Sequence, residues 1–105
     1  MLITSTDNIP GRNITEVKGM VRGNTVRARN IGRDITAGLR NIIGGEMPEY
    51  TELMAESREM AVQRMTEQAE SLGANAIVGA RFTTSSISQG ASEILAFGTA
   101  VVVED

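Results

Sequence analysis

The 105 residues include no cysteine, no histidine and no tryptophan, and a single lysine, Lys18. Without cysteine there are no disulfides, no thiolate nucleophile and no thiolate metal site. Without histidine there is no imidazole general base, no imidazole ligand and no switch titrating near neutral pH. Ser85, Ser86 and Ser88 therefore lack a triad partner. Aromatic residues are confined to Tyr50, Phe82 and Phe97, so the core is built from Ile, Val, Leu, Met and Ala. Gly-Lys-Ser, Gly-Lys-Thr and GxGxxG are all missing, which removes the common phosphate-cradling loops. No run approaches the roughly 20 apolar residues of a membrane span. Met1–Ser5 carries no basic segment and reads as no signal peptide, so the expected location is the cytoplasm.

What is present suits one small domain with a modest core. The composition, 41% apolar and 22% charged, is that of a folded chain. The net charge of −3 divides unevenly, +4 over residues 1–43 and −7 over 44–105. Opposite signs in the two halves suit a head-to-tail contact between copies. Arg12, Lys18, Arg22, Arg27, Arg29 and Arg33 lie in an acidic chain without aromatics nearby, which argues against nucleic acid.

The pattern predicts an α+β fold. A short strand over Ile3–Thr6 precedes a turn at Asp7–Gly11. Residues 14–28 alternate as a long strand, with Thr15, Val17, Gly19, Val21 and Gly23 on one face. A bulge or bend at Gly23-Asn24 accounts for a slip in the apolar phase. Asp34 caps a short helix through Ile43, ended by Gly44-Gly45. Residues 49–72 form a long helix with Tyr50, Met54, Ala61, Met65, Ala69 and Leu72 on its apolar stripe. Leu53 and Met60 widen the stripe, the opposite face is acidic, and Gly73 ends the helix. Strands over Ala74–Thr83 and Glu93–Val103 follow, joined by a polar turn from Thr84 to Ser92. The last strand is apolar on both faces, and a single helical layer covers only one. The three strands make an antiparallel sheet in the order first, third, second (1-3-2).

Few residues stand out chemically. Glu46 and Glu49 are the best carboxylates for a hard divalent cation. The methionines offer thioethers to a soft metal, but Met54 and Met65 fall on the core face, where packing uses them. Arg58, at the edge of the apolar stripe, needs a carboxylate partner or a route to water.

Arg33-Asp34-Ile35, Gly44-Gly45-Glu46 with Tyr50, then Arg58, Ala61 and Met65, then Gly73-Ala74-Asn75-Ala76-Ile77-Val78-Gly79-Ala80-Arg81-Phe82, together resemble the YbjQ-like family. That family's description names heavy-metal binding. The resemblance implies a two-layer, dodecin-like β-α-β-β subunit assembled into a ring, as a homopentamer. Three functional readings follow. The first is a ring-forming homo-oligomer with a structural or small-ligand-binding role, without catalysis, cofactor, nucleic acid or membrane. Its interface or ligand residues would be Arg58, Arg81, Tyr50, Leu53 and Met60. The second binds a divalent metal through Glu46 and Glu49. A third is an enzyme whose site lies between subunits, with Arg58, Arg81 and Glu46 as its polar groups.

Overall fold

The computed structural model describes residues 1–28, 48–88 and 90–105, and the side chains of all of these except Ala28, Pro48, Glu49 and Tyr50. The expected helix from Asp34 to Ile43 and the Gly44-Gly45 turn lie outside the described residues. The elements are β1 (Leu2–Ile3), β2 (Asn13–Ala28), α1 (Pro48–Ser71), β3 (Ala76–Ser88) and β4 (Ala91–Glu104).

β2, β4 and β3 lie side by side and antiparallel, the predicted neighbour relations of the three long strands. The sheet is nevertheless four-stranded and mixed. β1 adds to the outer edge of β3 in parallel, with Leu2 opposite Ala76 and Ile3 opposite Ile77. The following segment continues that pairing, as Thr4 N–H donates to Ile77 C=O (2.9 Å) and Gly79 N–H to Thr6 C=O (2.8 Å). A two-residue strand carries too little alternation to reveal its partner in sequence.

The bulges also fall elsewhere. The register of β2 on β4 slips between Ile14 and Glu16 and between Val17 and Gly19, then runs unbroken to Ala28. Gly23 marks a close approach instead. A Cβ there would run into the backbone of Ala61 and Met65 and come within 2.8 Å of Arg64 Cβ. Glycine is what lets α1 lie directly on β2. The slip between Val17 and Gly19 turns Val17 to the far face, opposite Val101, while Val21, Gly23 and Thr25 face the helix and are buried.

Pro48 opens α1, where its missing N–H leaves no bond unmade. Gly73, at φ +82°, closes it. Gly73 N–H donates to Glu70 C=O (3.0 Å) and Ala74 N–H to Ala69 C=O (3.1 Å), the two bonds of a Schellman cap. Ala61, Met65 and Ala69 are buried as predicted. Leu72 is not part of that face and stays 41% exposed, because the helix ends before it. Ser57 takes a core position instead. Its Oγ donates to Leu53 C=O (2.9 Å), and Thr25 Oγ1 donates to Ser57 C=O (3.0 Å), so the buried hydroxyls are satisfied.

The main core lies between α1 and the sheet: Val21, Ala61, Met65, Ala69, Ile77, Ile94, Ala96 and Ala100. A second cluster, Ala76, Val78, Val101 and Val103, lies on the far face and is closed by Ile9. The amino-terminal segment thus covers one end of the face that the helix leaves bare. The hairpin is longer than its composition suggested. β3 runs to Ser88 and β4 starts at Ala91, so most of the expected turn over Thr84–Ser92 is strand. The β-branched Thr83, Thr84 and Ile87 suit extended backbone.

Candidate functional site

α1 lies mainly over β2, less over β4, and barely reaches β3. Its 24 residues span about 36 Å. The 14 residues of β4 span about 46 Å. The sheet therefore outruns its helix, and the longest dimension of the described structure is 54 Å. The radius of gyration, 17.2 Å, exceeds the ~13 Å of a rounded domain of this length.

The helix bonds to the edge of β2 that faces away from β4. Arg22 N–H donates to Gln68 Oε1 (2.7 Å), and Arg64 Nη1 donates to Asn24 C=O (2.6 Å). Two backbone groups with no partner among the described strands are thereby bonded. The other edge is covered by β1 and Thr4–Thr6 only as far as Ala80. Beyond it, Arg81–Ser88 has no neighbour except β4 among the described strands. Its side chains are exposed, Phe82 at 53%.

The face turned away from α1 is the more unusual surface. Register places Met20 opposite Thr99, Arg22 opposite Phe97, Asn24 opposite Leu95 and Val26 opposite Glu93. Arg81 stands opposite Phe97 from the other side, so Phe97 lies between two arginines in one cross-strand row. Met20 is 69% exposed, Val17 66% and Val26 53%. The ion pairs among the described residues, Arg12–Asp105 (3.5 Å) and Lys18–Glu16 (2.7 Å), involve neither arginine of that row.

Among the described residues, those singled out in the sequence do not converge. Arg58 is exposed on α1. Arg81 is on the opposite face of the sheet, where its Nη1 donates to Ser5 C=O (2.7 Å) and Ala80 C=O (3.0 Å) and ties down the amino-terminal segment. Leu53 and Met60 are half-buried on α1. Arg27 Nη2 contacts Met60 Sδ at 2.9 Å. Tyr50 and Glu49 belong to the first turn of α1, and Glu46 lies outside the described residues. Arg22, Phe97 and the sealing pair Arg64 and Gln68 were not foreseen. Arg22 and Phe97 each follow the alternation of their own strands, but only register makes them neighbours.

The block Gly73–Phe82 now has a structural account. Gly73 caps the helix and Asn75 holds the start of β3 against β4. Gly79 and Ala80 receive the amino-terminal segment. Residues 1–104 match the model of the family YbjQ_1, described as "Putative heavy-metal-binding". The chain belongs to the YbjQ family. A YbjQ relative from Vibrio parahaemolyticus, named a UPF0145 protein, is 62% identical over 101 residues, 96% of each chain. Another UPF0145 protein, from Clostridium perfringens, is 54% identical over 105 residues, 100% of this chain and 99% of its own. A third, from Halorubrum lacusprofundi, is 57% identical over 101 residues, 96% of this chain and 97% of its own. The YbjQ fold here is also similar to a crystal structure from Pediococcus pentosaceus, a protein of unknown function in the DUF74 family. The two superpose with a TM-score of 0.71 at 18% identity, over 99% and 98% of the chains, a likeness of fold alone.

The donor chemistry does not fit the family's description. Thiolate and imidazole, the usual ligands of heavy metals, are absent from the sequence. Among the described residues, no three Asp or Glu side chains are grouped to hold an ion.

Proposed function

We propose that this YbjQ-family chain is a self-assembling subunit with a structural or small-ligand-binding role and no catalysis. The observation that carries this reading is the sheet face turned away from α1, where Val17, Met20 and Val26 are exposed beside Phe97 and Leu95. Exposed apolar side chains repeated along one sheet face support a contact there. The edge at Arg81–Ser88, which has no neighbour but β4 among the described strands, supports the same reading, because natural sheets blunt or cover edges that remain in water. A closed ring needs two unlike surfaces on each copy, and the opposite charges of the two halves are consistent with that. Five copies in a dodecin-like ring is the arrangement that the family resemblance favours, and the absence of a signal-peptide pattern at Met1–Ser5 favours the cytoplasm. Among the described residues no helix is long and apolar enough to cross a membrane. The lack of cysteine and histidine removes the commonest nucleophile–base pairs, which supports a non-catalytic role.

Native mass spectrometry of the full chain tests the proposal. The expected result is a single species of five chains, with any retained small molecule visible as added mass. A monomer at micromolar concentration overturns it.

A further inference from the structure

We infer that this chain does not hold heavy-metal ions, the property its family's description names. The inference rests on donor chemistry and stands whether or not the chain assembles. Soft and borderline ions are held by thiolate, thioether and imidazole, whereas hard ions take carboxylate and carbonyl oxygen. The sequence has no thiolate and no imidazole, so thioether is the one soft donor it offers.

The described methionines are poorly placed to act together. Met65 is buried in the core, and Met54 packs against it half-buried. Met60 faces the Arg27 guanidinium at 2.9 Å, so its sulfur already meets an N–H donor and a positive charge that repels a metal cation. Met20 lies on β2 and Met1 beside β1, which occupy opposite edges of the sheet.

The described carboxylates of α1 are no better arranged. Glu52, Glu56, Glu59, Glu67 and Glu70 are all exposed on α1. Among the described residues no trio of acidic side chains is close enough to share an ion. Exposed, dispersed carboxylates keep their water and favour hard ions weakly. Assembly multiplies these donors without adding thiolate or imidazole, so it cannot create the missing ligand type.

The test is equilibrium dialysis of the chelator-treated full chain, in its native assembly, against Zn(II), Cd(II) and Cu(I) in turn, followed by metal analysis. Thermal unfolding with each ion in excess gives a second readout, since a ligand bound only by the folded state raises the midpoint. The expected result is no retained metal and no upward shift. Retention at a fixed stoichiometry, one ion per chain or per assembly, with a raised midpoint overturns the inference.

Discussion

The side chain of Asn75 pairs with the backbone of Val103 in both directions. Oδ1 accepts the Val103 N–H at 2.8 Å, and Nδ2 donates to the Val103 C=O at 3.0 Å. The amide thus acts as one further residue of β3 before that strand begins at Ala76, and Asn75 N–H adds a bond to Val101 C=O. Asn75→Ala should cost about 1–2 kcal/mol by leaving both Val103 groups without this partner. Asn75→Asp should cost more, because a carboxylate keeps the acceptor but replaces the donor with a charge facing a carbonyl. Urea unfolding of the three proteins checks this, and equal midpoints for Asn and Ala would refute it.

Gly23 lies where helix and sheet come nearest. A methyl group there meets helix backbone, which cannot turn aside as a flexible side chain can. Gly23→Ala should destabilise the protein by about 1–3 kcal/mol through overpacking. Gly11→Ala is the control. It has open space around it but φ at +81°, so its cost should be about 1 kcal/mol of backbone strain. If chemical denaturation ranked the two the other way, the close approach of α1 to β2 would be in doubt.

Gln68 and Arg64 protect the backbone of an edge strand. Gln68→Ala and Arg64→Ala should each cost about 0.5–1.5 kcal/mol. Hydrogen exchange at the Arg22 amide should quicken in Gln68→Ala and change little in Arg64→Ala, since only Gln68 bonds that N–H. Exchange that responded equally to both substitutions would point to loosening of the whole helix.

The bare sheet face should govern assembly. Val17→Asp and Met20→Glu place charge on exposed positions, so monomer stability should change by no more than about 0.5 kcal/mol. Buried in a contact between copies, the same charges are strongly unfavourable. Light scattering should show both variants at reduced mass with circular dichroism unchanged. Assembly that survived both would move the contact to another surface, with the Arg81–Ser88 edge the next to test by Ser86→Lys.

Much of this was readable from the chain because its causes are local. The 3.6-residue spacing of Ala61, Met65 and Ala69 marks a buried helix face wherever the helix docks, and Gly73 ends the helix through bonds within a few residues. The period-two pattern of β4 was equally plain, and it required something on each face of the sheet. Leu72 and Ser57 escaped that reading. Hydropathy favours Leu72 for the core, but the helix stops short of it. Ser57 can be buried because Leu53 and Thr25 satisfy its hydroxyl and carbonyl.

The amino-acid sequence alone determined the kinds of elements, their order and the chemistry that the protein lacks. Tertiary structure decided the rest. It set the lateral position of α1 over β2, which depends on Gly23 meeting Ala61 across 38 residues of chain. It set the bulge between Val17 and Gly19 that turns Val17 outward, because register is a property of two strands and not of one. It also brought Arg22 and Arg81 to either side of Phe97. Periodicity reports which side of an element is apolar. What that side meets depends on distant residues, and only the folded chain brings them together.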